Sequence, residues 1–297
     1  MPDSRLWSKE VAANKKPEEA IEMHVILVPV ADRPECANAL RAAFALGKHV
    51  GASVSGCHIR PHRHVEVSLS MAFADAAWRK RSTKTASKNA RKLYGQIAEH
   101  NGYDFIRRPR ATPGAMWSER VGSPGIVLSI VGPVSDLIVV SRPARRGGIA
   151  DMFMSAALLE SRCPVLILPT SGRKTLGKNV CIAWNQSSEA AIAVKAAMPL
   201  LERAEKVTIV SCGPEHHIGP KAAQLAGYLA HRGIKSKRVK TRGSDVEAEL
   251  LASYKEADAD LLIAGAYSRN RWREKIFGGM TEFLIRKARI PVLMRHH

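Results

Sequence analysis

Short apolar runs bounded by turn residues recur along the chain. Between them lie longer stretches, rich in alanine and leucine, at helical spacing. The runs "HVILVPVAD" (His24 to Asp32), "SVSGCHIRP", "YDFIRRPR", "VSDLIVVSRP" and "PVLILP" read as five strands. The stretches "ECANALRAAFALGKHV", Leu69 to His100 and "AALLESR" read as helices. The same order then returns. "NVCIAWNQS" (Asn179 to Ser187), "KVTIVSCGP", "IKSKRVKT", "DADLLIAGAY" and "PVLMRH" are the second set of strands. "SEAAIAVKAAMPLLERA", Pro220 to Arg232 and "EFLIRKAR" are helices of the second set. A repeat on this scale signals two copies of one supersecondary plan.

Strands that alternate with helices predict parallel sheets covered on both faces. The expected fold is α/β: two tandem doubly wound domains, each a sheet of roughly five parallel strands. Residues 1–22 are a polar extension, 23–171 the first domain and 172–297 the second. The boundary falls in "TSGRKTLGK" (Thr170 to Lys178), a stretch of turn and basic residues. Open parallel sheets bind ligands beyond the carboxyl ends of their strands, where strand order reverses. The chemistry is therefore to be sought after the first, second and fourth strands of each half.

The chain has 297 residues, 45% of them hydrophobic, enough for a sizeable core. No apolar run approaches the ~20 residues of a membrane helix, and the N-terminus lacks the apolar stretch of a secretory signal. The five cysteines, Cys36, Cys57, Cys163, Cys181 and Cys212, are scattered and form no C-x-x-C pair. Such a set argues for a reducing compartment, and a cytoplasmic protein is expected.

The net charge of +19 changes the picture more. Lys and Arg outnumber acids 24 to 15 up to Gly172 and 22 to 12 after it, so the excess is spread and forms no basic tail. A surface of this kind attracts anions. The densest cluster, "KSKRVKTRG" (Lys235 to Gly243), alternates like an exposed strand. Aromatics make up only 5% of the chain, a poor supply for stacking bases. Nucleic acid is expected only as a nonspecific, strongly salt-dependent partner.

The fourth strand of the second half runs into "GAYSRNRWREKIFGG" (Gly265 to Gly279), and a helix follows at once. Glycines let backbone approach a ligand closely, and the unpaired N–H groups of a helix start favour an anion. The spacing, Gly265, then Ser268, then nine residues, then Gly278 and Gly279, resembles the nucleotide loop of the universal stress proteins. "ARIPVLM" and "SRCPVLILP" also resemble that family, and the doubled layout is similar to its tandem bacterial members. The resemblance covers the chain from about His24 onward. It implies an intramolecular pseudo-dimer in which "PVLILP" and "PVLMRH" pair, with further self-association open. It also implies an ATP site, with Mg²⁺ where the nucleotide brings it. Asn185 stands where the family has an Asp at the end of the first strand. Backbone near Val210 would meet adenine. Gly265, Ser268, Gly278 and Gly279 would hold phosphates. Two departures count against the site: Ser268 replaces a glycine, and Gly279 replaces a Ser or Thr. Thr281 is the nearest hydroxyl. The alternative is a turn that needs its glycines only for its own conformation.

The first half departs further. Gly265 aligns with Ser141, and Gly278 aligns with Asp151, a carboxylate that would repel phosphate at a helix start. Asp32 keeps the family's acidic position. Arg142, Arg145 and Arg146 offer charge to a different anion, or form a solvated turn.

"CHIRPHRH" places Cys57, His58, His62 and His64 within one short segment. Such ligands can hold zinc, but the paired spacing of a standard motif is missing. "EHH" (Glu215 to His217) occupies the equivalent place in the second half. No G-x-S-x-G, H-E-x-x-H or G-x-x-x-x-G-K-[ST] occurs, so hydrolysis of ATP, where present, should be slow. The expected function is a non-catalytic stress-response or signalling module with an ATP site in its second half. The alternative is a member that has lost the nucleotide and acts through unknown protein partners or another anionic ligand.

Overall fold

The computed structural model describes residues 22–61, 84–108, 110, 112–170, 176–212, 218–266 and 279–295. Its first half contains β1 (Val25–Val30), α1 (Pro34–Val50), β2 (Ser53–Arg60), α2 (Lys84–His100), β3 (Ala115–Val121), α3 (Pro124–Val131), β4 (Leu137–Ser141), α4 (Ile149–Glu160) and β5 (Val165–Leu168). The second half contains β6 (Asn179–Ala183), α5 (Ser188–Ala196), α6 (Met198–Leu201), β7 (Lys206–Ser211), α7 (Ala222–Ala230), β8 (Ser236–Lys240), α8 (Val246–Glu256), β9 (Leu261–Gly265), α9 (Gly279–Glu282) and β10 (Val292–Arg295).

The ten strands form one sheet in the order β3-β2-β1-β4-β5-β10-β9-β6-β7-β8. Within each half every pairing is parallel. The exception is the seam, where β5 and β10 run antiparallel with Val292 opposite Ile167 and Met294 opposite Val165. These are the two segments expected to pair. An antiparallel contact between the last strands of two like sheets relates the halves by a pseudo-twofold, and strand order reverses at β1/β4 and at β6/β9.

The central strands are apolar on both faces because helices cover both. Side chains of β1 alternate: Ile26, Val28 and Val30 enter one layer with Phe44, Leu40 and Met198, while Leu27 enters the other with Phe153, Tyr254 and Leu284. Each layer thus contains residues of both halves. The outermost strands are polar, as solvent-facing edges tend to be. β8 exposes Lys237, Arg238 and Lys240, which bears out the strand reading of the basic cluster.

The repeat reaches individual hydrogen bonds. Asp136, before β4, accepts from the His24 and Val25 N–H groups at 2.8 and 2.9 Å. Asp260, before β9, accepts from Gly177, Lys178 and Asn179 at 2.9, 3.2 and 3.2 Å. Each carboxylate thereby ties down the start of the neighbouring first strand.

One expected strand moves. The third strand of the first half is Ala115–Val121, not "YDFIRRPR", of which Phe105 alone makes an isolated bridge, to Ala115. The displaced run carries Pro109, which has no N–H for a ladder. In β3, Ala115 is buried and Trp117 half-buried, and Trp117 packs against Tyr94 with the rings tilted by 45° and their centroids 5.2 Å apart. "GSPG" opens α3, with Ser123 Oγ accepting from the Ile126 N–H as its cap.

Candidate functional site

At the second-half switch point, β6 leads into the turn Trp184-Asn185-Gln186-Ser187. Asn185 is exposed, and its Oδ1 accepts from the Ser187 N–H at 3.2 Å and the Ser187 hydroxyl at 2.7 Å. The Ser187 Oγ in turn accepts from the Ala190 N–H at 3.1 Å, capping α5. Gln186 takes a left-handed backbone, φ 64°, which is uncommon outside glycine, and is buried. Asn185 therefore shapes the turn with its oxygen, and its amide NH₂ makes no hydrogen bond to the described residues.

Gly265 ends β9 directly against this turn. A Cβ on it would stand 2.6 Å from the Ala190 nitrogen and 2.8 Å from the Glu189 carbonyl carbon. Both are backbone atoms and cannot swing away. This glycine is required because α5 lies on it, and its φ is not left-handed. Gly279, at the start of α9, is the opposite case: a Cβ there would meet no described atom within 4 Å. Thr281 is half-buried in the same short helix. Ser268 and Gly278 lie outside the described residues, as do Arg269, Arg271, Arg273 and Lys275.

Val210 is buried in β7, and its carbonyl accepts from the Trp184 N–H at 2.8 Å. The space beyond β6 and β7 holds groups that sequence reasoning missed. The Trp184 indole is buried and donates through Nε1 to the Pro220 carbonyl at 2.8 Å. Gly219 packs on the turn so closely that a Cβ would clash with the Gln186 carbonyl oxygen. The chain after β7 thus lies over the end of β6. The one signal in the sequence was the tryptophan next to Asn185.

The corresponding edge of the first half is closed by its own side chains. Asn38 of α1 donates to the Ser141 Oγ at 2.8 Å and the Pro169 carbonyl at 2.9 Å. Ser141, aligned with Gly265, is buried under that contact. Asp32 is exposed and accepts from Asn89 of α2 at 3.0 Å.

Arg142 corrects the expectation most sharply. It is neither a solvated turn residue nor an open anion ligand. Its guanidinium is buried and crosses the seam, donating to the carbonyls of Leu284, Ile285 and Ile290 at 2.6, 3.0 and 2.8 Å. Beyond α9 the helix widens into a π turn over Phe283–Lys287, closed by the Ala288 N–H on the Phe283 carbonyl at 2.9 Å. The carbonyls of that last turn need outside donors, and Arg142 supplies them where a cation also suits the helix dipole. Burial pushes its pKa down to about 10, so it stays charged at neutral pH. Asp151, which aligns with Gly278, accepts from the Gly147 N–H at 2.9 Å and meets Arg286 across the seam at 3.4 Å. The first half's loop is built into the interface.

Of the metal candidates, Cys57 and His58 are described, and His62 and His64 lie outside the described residues, as does Glu215 to His217. Cys57 and His58 are both buried, but they are strand neighbours and enter opposite layers. The His58 Nδ1 lies 2.8 Å from the Val30 carbonyl, which can only accept, so Nδ1 is the donor. The His58 Nε2 is buried with no hydrogen-bond partner among the described residues, and the ring lies parallel to Trp117 at 6.3 Å. Among the described residues, no three His, Cys, Asp or Glu side chains are placed to share a metal. All five cysteines are free thiols. No helix among the described residues is long and apolar enough to cross a membrane.

Comparison with known proteins adds the following. Residues 177–296 match the model of the universal stress protein family. No curated protein matches the chain. A universal stress protein from Archaeoglobus fulgidus superposes with a TM-score of 0.63 at 16% identity, covering 92% of this chain and 97% of that one. A protein of unknown function from Pseudomonas aeruginosa PAO1 gives 0.55 at 14% identity, covering 91% and 92%. A putative universal stress protein from Pseudomonas aeruginosa UCBPP-PA14 gives 0.54 at 14% identity with the same coverage. At these identities the likeness shows a shared fold alone, over 91–92% of this chain.

Proposed function

We propose, from the match of residues 177–296 to the universal stress protein family and the repetition of that fold by residues 25–168, that the chain is a non-catalytic nucleotide-binding module whose working site is at the β6/β9 switch point. The observation that carries the reading is positional. Sheet order sets the end of β6, bearing Asn185, beside the end of β9, where the glycine loop begins. That is where open α/β sheets take their ligands. The Asn185 amide offers a donor to a ribose or base without a charge to oppose phosphate. The open surround of Gly279 suits an anion at the start of α9. ATP fits this chemistry, with Mg²⁺ arriving on its phosphates. The free thiols fit a cytoplasmic setting.

A second reading rests on a different observation. Trp184 and Gly219 occupy the space beyond β6 and β7, on the side where a base would lie. In that reading the site is closed and the module works through protein partners.

Calorimetric titration with ATP at physiological salt, with and without Mg²⁺, separates the two. The control is Gly279→Asp, which sets a carboxylate at the helix start where no described atom crowds the Cβ. Saturable 1:1 binding, lost in a variant that melts like wild type, supports the nucleotide site. A folded protein that takes up no ATP refutes it and leaves the second reading.

A further inference from the structure

A cleft of about 650 Å³ opens between the halves, beside the end of β4 and the π turn that follows α9. It is within the size range of small-molecule sites, ~300–1,000 Å³. Five cations line it: Arg142 and Arg146 from the first half, and Arg286, Lys287 and Arg289 from the second. No Asp or Glu is among its described lining residues. Buried Met154 and Ile285 contribute apolar wall.

We infer that this seam cleft is a binding site for a compact anion bearing two or more phosphoryl groups, separate from the β6/β9 switch point. Two of the five cations are already engaged. Arg142 is held by three carbonyls, and Arg286 meets Asp151 at 3.4 Å and Glu282 at 3.1 Å. Arg146, Lys287 and Arg289 are exposed and form no ion pair with any described residue. Three like charges from two halves converge on one concavity, and the carboxylates nearby, Asp151 and Glu282, are taken up by Arg286. Their mutual repulsion is relieved by a ligand of charge about −3 or −4, which a diphosphate or triphosphate carries and orthophosphate does not. Arg142 acts as a fixed positive wall, because its donors point into the helix end while its charge remains at neutral pH. Low-dielectric walls around one sign of charge focus the potential on the mouth of the cleft.

The test uses inorganic tripolyphosphate, pyrophosphate and orthophosphate as probes, titrated into the full chain by calorimetry at physiological salt. Expected is 1:1 binding that strengthens from orthophosphate to tripolyphosphate. The double variant Arg146→Glu/Arg289→Glu, both exposed positions, should weaken tripolyphosphate at least tenfold. The variant Lys237→Glu/Arg238→Glu on the far edge strand β8 changes net charge equally and should leave binding within threefold. Gly279→Asp should also leave it unchanged, which keeps the result independent of the ATP site. Equal weakening by the two double variants would overturn the proposal, because the general basic surface would then account for the binding. Loss of tripolyphosphate binding in Gly279→Asp would overturn it too, by assigning the anion to the glycine loop. So would a folded protein that shows no saturable binding at all.

Discussion

Replacing Arg142 by alanine should loosen the whole molecule at its seam. The substitution removes three donors, at 2.6, 2.8 and 3.0 Å, from carbonyls at the end of the last helix. A buried acceptor left unsatisfied costs about 1–3 kcal/mol. Two effects reduce the sum. Water can reach some of these carbonyls through the adjoining cleft, and the variant no longer carries the desolvation of a buried cation, which is large enough to pull the Arg142 pKa down to about 10. The net loss expected is about 3 kcal/mol, the low end for three acceptors left without their donors. Urea titration followed by near- and far-ultraviolet circular dichroism would measure it. Hydrogen exchange should show the amides of β10 losing protection first, because Ile290 and the π turn lead directly into that strand. Arg142→Lys should retain part of the stability, since an ammonium lacks the planar fork that reaches all three carbonyls. A midpoint for Arg142→Ala that corresponds to less than 1 kcal/mol, with β10 exchange unchanged, would refute the clamp.

Two further outcomes follow from the packing. Gly265→Ala should cost about 1–3 kcal/mol, because its Cβ would press on the α5 backbone, whereas Gly279→Ala should be neutral or mildly stabilising; equal melting of the two variants would contradict the packing role of Gly265. Burial pushes the Cys36, Cys163 and Cys181 thiols up to about 12 and raises Cys57 as well, so at pH 8 these four carry very little thiolate. Cys212 is raised but half-exposed, so a thiol-specific colorimetric reagent should label one cysteine readily in the native protein and the rest only after unfolding; two or more fast thiols would contradict the burial.

The layout was legible because periodicity reports burial. Runs such as "LIVVS" in β4 and "VLIL" in β5 are buried at every position, and only strands covered on both faces read that way. The pairing of the two final strands was legible through family resemblance, since nothing in a four-residue apolar run names its neighbour. The third strand was misplaced because an edge strand is half polar by nature: β3 ends in "SERV", which no apolar count favours. The role of Arg142 could not be read locally, because its acceptors lie 142 to 148 residues further on. Gly265 illustrates a related limit. The sequence signals that backbone must come close at that position, and only the fold shows that the close neighbour is α5.

The two halves have diverged at matching positions, and the divergence has a mechanical consequence. In the first half, Ser141 is held by Asn38, Arg142 crosses the seam, and Asp151 meets Arg286. These three side chains contact protein, while Arg146 of the same loop stays exposed. In the second half the matching positions are Gly265, Ala266 and Gly278, none of which can make such contacts. One clamp is enough, because a tandem chain keeps its halves at high effective concentration. The clamp is also attached at a telling place. Arg142 grips the end of the π turn, and that turn is continuous with α9, which begins at Gly279. The far end of the glycine loop is therefore anchored to the first half and not only to its own domain. The repeat that has given up its own loop thus holds the helix on which the other loop ends, so neither half is a spare copy of its partner.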